Sequence, residues 1–471
     1  MKIRWGKLIS WLLVALLCYV VVCCIVVPLR HKEESEDYRQ RFESRMNEFM
    51  SSQGAENVRL LAENDEALMW RLKAIEEADK SLILSTFDMS DDKSGRDVMA
   101  SLLTAADRGV EVRLIIDGIN QWLNLSGNDT FRALISHDNI EAKAYNPINL
   151  LKPWRLNYRM HDKYLIADDK ICILGGRNTN DLFLGSGSNK PNIDKDVLLY
   201  RQPGANGGKA IDAVIGYFEN NWDKEWSKSL SYRISFNKKE ENLKNLRKHY
   251  KEMRINYPEA FEKTDWQEKT FHADGVMLVT NPVNISNKEP EIWYSLCRVM
   301  EEGEEILINT PYIICNNRMY DDLNHLAEGG RKIGFLTNSV ENGANPWGCC
   351  DYMNQKKKLQ KHGAHVFEYL GGKSLHTKTM IIDDDLCVVG SCNTDMRSVY
   401  LDTEMMLVIR SEELNKAMKK VAEGEISYSK YVLPDGTETM GDNYEEKKMG
   451  APKKLLYSVI RVAILPFRHL L

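Results

Sequence analysis

The sequence predicts an α/β protein in which two pseudo-twofold-related lobes follow a single N-terminal transmembrane helix. Two halves of the chain repeat one order of elements, each half carries one copy of a short motif, and an apolar run lies near the N-terminus. The chain has 471 residues, of which 43% are hydrophobic and 28% charged, and this suits two globular lobes. The composition excludes a collagen-like, a fully disordered or a polytopic membrane protein.

The apolar run covers residues 8–29 and would span about 33 Å as a helix, enough to cross a bilayer core. A cleaved signal peptide is the alternative interpretation. The run is longer than a signal-peptide core, and bulky residues at positions 26–29 occupy the place of the small residues that mark cleavage. The sequence therefore predicts a retained anchor over residues 1–30 and a location in the cell membrane.

Charge alone does not fix the orientation of this anchor, because basic residues lie on both sides of the apolar run. They are Lys2, Arg4 and Lys7 before it, and Arg30, Lys32, Arg39, Arg41 and Arg45 after it. A short N-terminal tail usually stays in the cytoplasm, which favours an extracytoplasmic position for the rest of the protein.

Changes in composition divide the remaining chain. Residues 31–54 are charged and predict a helical stalk, and residues 237–266 are rich in Lys and Glu and predict a connector. The first lobe is therefore expected at residues 55–236 and the second at residues 267–433. Residues 434–471 form a polar tail and a basic, amphipathic segment that is too short and too charged to span a bilayer. That segment could lie at a membrane interface or pack on the body as a terminal helix.

Each lobe begins with the pattern of a βαβ unit: an apolar strand, a helical stretch that ends in glycine, and a second apolar strand. Strands are predicted at residues 81–87 and 110–117 in the first lobe, and at residues 305–312 and 332–338 in the second. Continuous apolar runs are typical of a sheet that is covered on both faces, so each lobe is predicted to be an α/β/α sandwich.

The repeat is clearest in a motif that occurs once in each lobe and fits HxKx4Dx6G[GS]xN without a gap. The first copy contains His161, Lys163, Asp168 and Asn178, and the second contains His376, Lys378, Asp383 and Asn393. His and Lys two positions apart on a strand point to the same face. A polar turn at each Asp separates two apolar strands, so each copy predicts a hairpin that returns Asn towards His and Lys. The small residues before each Asn would let the backbone approach a ligand closely.

Two imidazoles, two ammonium groups and two amides on one cleft suit chemistry on a phosphodiester. One neutral histidine can attack phosphorus, and the other can protonate the leaving oxygen. The side chains of Lys163, Lys378, Asn178 and Asn393 can hold the phosphoryl oxygens and offset their charge. The sequence contains no carboxylate cluster that demands a metal, so neither a metal nor a cofactor is predicted.

The doubled motif resembles the hallmark of the phospholipase D superfamily, and the resemblance covers about residues 57–433. The chain is most similar to bacterial cardiolipin synthases, whose NxDxRS segment resembles residues 393–398. Asp402 departs from the family pattern, which has Asn at that position of an NxE element. The resemblance implies two phospholipase D-like lobes and a membrane-anchored phosphatidyltransferase of the cardiolipin synthase type. Such an enzyme moves a phosphatidyl group through a phosphohistidine to phosphatidylglycerol.

The resemblance also implies roles for individual residues. In the superfamily an acidic residue beyond each motif hydrogen-bonds a catalytic histidine, and by position Asp196 and Glu404 match. Asp168 and Asp383 belong to the catalytic motif, but in the family this residue acts more in structure than in proton transfer. The family tendency makes His161 the nucleophile, although the two lobes are too alike for the sequence to decide.

Two other activities of the superfamily remain open, namely hydrolysis of phospholipids to phosphatidic acid and cleavage of nucleic acid by a phosphodiesterase or nuclease. The expected partners are phospholipids, including phosphatidylglycerol, and the membrane. The net charge of -5 disfavours nucleic acid, because domains that bind it are usually strongly basic. The lipid donor and the oligomeric state cannot be predicted from the sequence.

Overall fold

The computed structural model describes residues 5–51, 54–204 and 209–471. Residues 1–4, 52–53 and 205–208, which belong to the predicted anchor, stalk and first lobe, lie outside the described residues. The helices are α1 (Trp5–Val21), α2 (Glu36–Ser51), α3 (Asn64–Glu76), α4 (Lys93–Asp107), α5 (Gly118–Asn120), α6 (Asp129–Leu134), α7 (Ala210–Trp222), α8 (Phe236–Asn256), α9 (Glu291–Met300), α10 (Asn317–Glu328), α11 (Pro346–Lys361), α12 (Met396–Tyr400), α13 (Glu412–Ser427) and α14 (Ala451–Ala463).

The strands fall into two groups along the chain. The first group is β1 (Glu56–Leu61), β2 (Ser81–Thr86), β3 (Glu111–Asp117), β4 (Ile140–Tyr145), β5 (Tyr164–Ala167), β6 (Ile171–Gly175), β7 (Asn192–Ile193), β8 (Asp196–Arg201), β9 (Ser227–Ser229) and β10 (Phe271–His272). The second group is β11 (Gly275–Thr280), β12 (Glu305–Asn309), β13 (Ile313–Ile314), β14 (Lys332–Asn338), β15 (His365–Tyr369), β16 (Ser374–Leu375), β17 (Thr379–Ile382), β18 (Leu386–Gly390), β19 (Thr394–Asp395), β20 (Met405–Arg410), β21 (Ser429–Val432) and β22 (Glu438–Met440).

Within the described residues, most of these strands form two nine-stranded mixed sheets, one in each lobe. The first sheet has the order β10-β1-β8-β6-β5-β2-β3-β4-β9, and the second has the order β11-β20-β18-β17-β12-β14-β15-β21-β22. Counted from β1 and from β11, equivalent strands follow one another in the same order, and each sheet contains three neighbouring parallel strands. The predicted α/β fold with two similar lobes is confirmed, and β2, β3, β12 and β14 begin within one residue of their predicted positions.

Both faces of each sheet are buried. Successive side chains of a strand point to opposite sides of the sheet, so neighbouring residues enter different cores. In β2, Leu82 and Leu84 enter a core beneath α3 and α4, whereas Ile83 enters a core that the two sheets share. The shared core also contains Cys172 of the first lobe and Cys387 of the second, together with residues of α7 and α13. The lobes are therefore joined by continuous apolar packing.

Residues 237–266 differ from the predicted connector. Helix α8 buries four apolar side chains against the core of the first lobe, and β10 then pairs with β1 of the first sheet. The four residues recur every three, four or three positions and so form one helical stripe; they are Leu243, Leu246, Tyr250 and Met253. The segment therefore belongs to the first lobe, and the second sheet begins only at β11.

The N-terminal helix α1 continues through a π-helical turn (Val22–Val26) and a 3-10 turn (Val27–Leu29) to reach the body. The segment Ile9–Leu29 has 21 residues and a mean hydropathy of 3.1, and only 6% of its apolar window is buried against the rest of the protein. By length and composition this segment can cross a bilayer.

Two amphipathic helices near the termini pack on the second lobe. Helix α2 was predicted as a stalk, but its apolar stripe enters the core of the second lobe; the stripe is Tyr38, Phe42, Met46 and Phe49. Helix α14 packs Tyr457 and Ile460 against α11 and leaves a second apolar stripe exposed. The C-terminal segment is therefore a packed helix that also retains an apolar surface.

Candidate active site

The two motif copies meet where the lobes face each other. Each predicted hairpin is present, formed by β5 with β6 in the first lobe and by β17 with β18 in the second. The backbone N–H of His161 donates to the carbonyl of Thr403 in the second lobe, and that of His376 donates to the carbonyl of Ile193 in the first. Each motif histidine is thus held by the opposite lobe.

A buried carboxylate from the opposite lobe also holds each imidazole ring. Nδ1 of His161 lies 2.8 Å from Oε1 of Glu404, and Nδ1 of His376 lies 2.6 Å from Oδ2 of Asp194. The side chains of both carboxylates are 0% exposed. Such a bond fixes the tautomer and leaves Nε2 as the nitrogen that can react.

The sequence-based assignment of Asp196 as the partner of a motif histidine is wrong. Its carboxylate forms ion pairs with Arg71 at 2.8 Å and with Arg177 at 3.3 Å, and all three side chains are buried. The guanidinium of Arg177 also donates to backbone carbonyls of β1 and of the loop before β8. Asp196 therefore holds the first lobe together beside the site and does not orient a histidine.

Strand register explains why Asp194, two residues earlier, takes this role. In the first sheet Asp196 pairs with Gly175 of the motif, and in the second sheet Met406 pairs with the equivalent motif glycine. Asp196 is thus equivalent to Met406. The residue two positions before each of them is the carboxylate on the histidine, Asp194 in one lobe and Glu404 in the other.

The small residues before each motif asparagine serve these carboxylates. A Cβ atom on Gly176 would lie 2.3 Å from Oδ1 of Asp194, so only glycine leaves room for that side chain. At the equivalent position, the hydroxyl of Ser391 donates to Glu404, and Ser398 donates to the same carboxylate at 2.7 Å. The small residues were expected to let the backbone approach a ligand closely. In the structure they lie close to the carboxylates that orient the histidines.

The two motif lysines are buried beside the histidines. The ammonium of each donates to the carbonyl of the histidine in its own motif, and Nζ of Lys378 also lies 3.0 Å from Nε2 of His376. Burial lowers the pKa of Lys163 to about 7 and that of Lys378 to about 8. Both ammonium groups are thus close to losing their protons at neutral pH, and a bound anion would stabilise their charged form.

The histidines are neutral at neutral pH in the absence of substrate. Burial holds the pKa of His161 well below its ordinary value and lowers that of His376 to about 3. Lys163 and Lys378 each lower the pKa of both rings further. The two lysines and the two histidines therefore form one electrostatic site, and a neutral imidazole is the form that can act as a nucleophile.

The two orienting carboxylates differ in pKa. Burial raises the pKa of Glu404 to about 7. Burial acts in the same direction on Asp194, but Lys378 and His376 outweigh it and lower the pKa of Asp194 to about 2. The site is therefore less symmetric than the motifs. Within the described parts of the chain, no group of three or more His, Cys, Asp or Glu side chains is arranged to hold a metal ion.

The motif aspartates lie at the other end of the hairpins. Asp168 follows His161 by seven residues, about 23 Å along an extended strand. Its carboxylate accepts backbone N–H groups of residues 79–81 at 2.8 to 3.2 Å, and that of Asp383 accepts those of residues 304–305. Both aspartates have left-handed backbones, with φ of 54° and 41°. The prediction that both aspartates are catalytic residues is therefore corrected: they are turn residues that fix each hairpin on its sheet.

The motif asparagines carry a feature that both copies share. Asn178 and Asn393 are buried, and among the described residues the Oδ1 atom of each has no hydrogen-bond partner. The Nδ2 atom of Asn393 lies 3.4 Å from the hydroxyl of Tyr312 and 3.3 Å from that of Ser398. A buried unpaired acceptor costs about 1–3 kcal/mol, so a ligand hydroxyl or a water that donates to it would be favoured. Their role in holding phosphoryl oxygens stays a prediction.

Two phenylalanines that the sequence analysis did not assign to the site also contact the histidines. The ring of Phe87 lies edge-on to His161 at 5.1 Å, and that of Phe183 lies edge-on to His376 at 4.9 Å. Phe87 follows β2, and Phe183 opens the segment that ends at β7, so no periodicity marks them. Both rings restrict imidazole rotation and exclude water from one side of each histidine.

Comparisons with known proteins show the family of the chain. A family model described as "Cardiolipin synthase, PLD-like domain" matches residues 72–222 and 296–425, more than half of the chain. The chain is 27% identical to cardiolipin synthase C of Escherichia coli over 397 residues, which cover 75% of this chain and 81% of that protein. It is also 27% identical to a cardiolipin synthase of Clostridium perfringens over 350 residues, which cover 74% of this chain and 65% of that protein.

Among solved structures, phosphatidylserine synthase of Haemophilus influenzae superposes with a TM-score of 0.62 at 15% identity, over 92% of this chain and all of that one. This similarity shows the fold. Two facing α/β lobes with paired His-x-Lys motifs define an enzyme of the phospholipase D superfamily. Within it, the chain belongs to the cardiolipin synthase family of phospholipase D-like proteins.

Proposed function

We propose that this protein is a membrane-anchored phosphatidyltransferase that makes cardiolipin from phosphatidylglycerol through a phosphohistidine. One observation carries the proposal: two neutral imidazoles from opposite lobes are each oriented through Nδ1 by a buried carboxylate and flanked by a buried lysine. This arrangement supplies one nucleophile, one acid–base group and two cations at a single cleft. The relatives named cardiolipin synthase support the lipid as substrate.

In the proposed first step, Nε2 of His161 attacks phosphorus of a phosphatidylglycerol. A P–N bond forms and the P–O bond to the leaving glycerol breaks. His376, which is protonated on both ring nitrogens once the phosphodiester is bound, gives the proton on Nε2 to the leaving oxygen. In the second step, neutral His376 takes the proton of a hydroxyl on a second phosphatidylglycerol. The oxygen of that hydroxyl attacks phosphorus and displaces His161. The products are cardiolipin and glycerol, and both histidines return to their starting states. The choice of His161 as nucleophile rests on the family tendency.

The low pKa of His376 is compatible with its role as an acid only when substrate is present. A phosphodiester between Lys163 and Lys378 brings a negative charge into a buried site. That charge raises the pKa of both the lysines and the histidines, because an adjacent anion favours each protonated form. The lysines then remain charged and can stabilise the charge that develops on the phosphoryl oxygens.

The apolar helix supports a location in the cell membrane, with residues 1–30 as the anchor. The extracytoplasmic position of the catalytic body stays a prediction. An anchored enzyme has its substrates in the plane of the same bilayer, which suits a reaction between two phospholipids.

Hydrolysis to phosphatidic acid is the second candidate, because water could replace the lipid hydroxyl at the same site; cleavage of nucleic acid is a third. Expression in a host that lacks cardiolipin, followed by lipid mass spectrometry, tests the three. Cardiolipin should appear with the wild-type protein and be absent with His376→Ala. Dominant phosphatidic acid would establish the hydrolase, and unchanged lipids with cleaved single-stranded DNA would establish the nuclease.

A further inference from the structure

Four large apolar side chains are exposed at the edge of the first lobe that carries the site. Trp122 and Leu123 are 56% and 62% exposed in the turn after β3, and Leu150 and Leu151 are 85% and 84% exposed in the loop after β4. We call these four residues the apolar edge. Exposed apolar residues grouped in this way mark an interaction surface.

The apolar edge and the site lie at the same end of the first sheet. Strands β2, β3 and β4 are neighbouring and parallel, so their carboxyl ends meet at one edge. Ser85 at the end of β2 pairs with Tyr164 at the start of β5, which places His161 at that edge too. Nδ2 of Asn124 also donates to Asp88 at 2.6 Å, which ties the turn after β3 to the chain beside Phe87.

The same edge is attached to the anchor helix. The hydroxyl of Tyr19 donates to the carbonyl of Leu151 at 3.2 Å, although Tyr19 lies in the middle of the apolar segment. Further along, Sγ of Cys24 donates to the carbonyl of Pro153 at 3.3 Å, and Nδ2 of Asn157 donates to the carbonyl of Cys24 at 2.8 Å. The loop after β4 therefore runs beside the last turns of the segment that can cross a bilayer.

The length of the anchor helix shows where the apolar edge lies relative to a bilayer. From residue 8 to residue 18, before the contact of Tyr19, the helix covers about 16 Å. A bilayer core is about 30 Å thick. If the segment crosses it, about 14 Å of the core must be crossed by residues that already touch the body, and a tilted helix would need still more. The part of the body beside residues 19–29 must then lie within the membrane.

The exposed stripe of α14 is a second apolar surface, and it is connected to the anchor. Leu455, Val459 and Val462 recur at helical spacing and are exposed, and Lys454 beside them is exposed too. The chain that follows α14 reaches the anchor, where Nε2 of His469 donates to the carbonyl of Ile25 at 2.7 Å. An exposed basic residue next to a stripe of this kind suits a surface of anionic lipids.

We propose that the apolar edge and the exposed stripe of α14 are immersed in the same leaflet, so that the cleft opens directly onto the bilayer and receives lipids from within it. This inference rests on the anchoring stated in the proposed function. It adds a specific bilayer-contacting surface and the direction from which the substrate enters.

Photocrosslinking of the full chain in vesicles of phosphatidylglycerol and phosphatidylethanolamine tests it. The variants Leu123→p-benzoylphenylalanine and Leu150→p-benzoylphenylalanine probe the edge. Leu13→p-benzoylphenylalanine, in the anchor, is the positive control, and Phe236→p-benzoylphenylalanine, equally exposed on α8, is the negative control. Mass spectrometry should find lipid adducts at positions 13, 123 and 150 and none at position 236.

The outcomes separate this inference from the proposed function. Adducts at position 13 without adducts at positions 123 and 150 would overturn the immersed edge and leave the anchoring and the activity intact. Protein–protein adducts at position 150 would overturn it too, since a second copy would then cover the edge. No adduct at position 13, with protein that leaves the vesicles in high salt, would refute the anchoring itself and the inference with it.

A second measurement uses turnover. The double variant Leu150→Gln, Leu151→Gln should lower turnover in vesicles by about tenfold. This loss is smaller than the full effect of moving two leucine side chains from an apolar medium into water. Its turnover of a short-chain, water-soluble substrate should equal that of wild type. The matched control Phe236→Gln, Ile255→Gln should change neither. An equal loss on both substrates would mean damage to the fold and would contradict the proposal, as would full vesicle turnover.

Discussion

Replacing Asp194 by asparagine tests the assignment that separates the structure from the sequence pattern. Asp194 accepts from Nδ1 of His376 at 2.6 Å and lies 3.9 Å from Nζ of Lys378. Asparagine keeps the size of the side chain and removes the charge. Its amide can also donate to Nδ1, which would hold the imidazole in the tautomer that has its proton on Nε2.

The structure sets the size of the expected effect. A hydrogen bond to a charged group contributes about 1.5–3 kcal/mol, which corresponds to a loss of roughly 10- to 150-fold. The wrong tautomer adds to this, and in a comparable carboxylate–histidine pair of another enzyme it lowers kcat by about 10⁴. We therefore expect Asp194→Asn to lower kcat by about 10² to 10⁴. Because Asp194 raises the pKa of both Lys163 and Lys378, the alkaline limb of the pH profile should move to lower pH.

Asp196→Asn is the matched control, two residues away and equally buried. It breaks a buried ion pair with Arg71 and Arg177, so it should lower the free energy of unfolding by about 3–5 kcal/mol. Its kcat per folded molecule should stay within about tenfold of wild type. Initial rates across pH, together with thermal unfolding of each variant, give both quantities. A kcat of Asp194→Asn near that of wild type, or a larger loss of kcat in folded Asp196→Asn, would refute the crossed carboxylate–histidine pairs.

Three further predictions follow from the site. Asp168→Asn should lower the melting temperature, because the carboxylate of Asp168 accepts hydrogen bonds from backbone N–H groups of residues 79–81. The kcat of the folded variant should change only a few-fold, and a complete loss of kcat would restore a catalytic role. The pH profile of kcat/KM should be bell-shaped around pH 7, because Glu404 gains a proton below its raised pKa and Lys163 loses one above its lowered pKa. Glu404→Gln should remove the acid limb, and an unchanged acid limb would assign that limb to another group. With a substrate that has a good leaving group, an acid-labile phosphoenzyme should be trapped in wild type and in His376→Ala but not in His161→Ala, and the opposite pattern would exchange the two roles.

The sequence was sufficient for the features that are encoded locally. Continuous apolar runs place β2, β3, β12 and β14, and the polar turns between apolar strands place both motif hairpins. The two copies of the motif imply that two histidines and two lysines share a site, and the structure brings all four together. Glu404 lies against a motif histidine, as its position in the sequence led us to expect.

The features that depend on contacts between the lobes could not be read from the sequence. Asp194 and Asp196 are both acidic and lie two residues apart. On a regular strand their side chains would point to the same face, so spacing alone cannot choose between them. The choice depends on the pairing of β7 with β16 of the other lobe, which moves the chain before β8 out of the first sheet. Similarly, α2 and α8 are charged overall, and only their thin apolar stripes show that they pack on the body.

The most direct test of the proposed function is the stoichiometry of products from purified protein in vesicles of phosphatidylglycerol, prepared in water enriched in oxygen-18. Phosphatidyl transfer predicts one glycerol released for each cardiolipin formed, with no oxygen-18 in the lipid. Phosphatidic acid that carries oxygen-18, formed in place of cardiolipin, would contradict transfer and identify water as the acceptor.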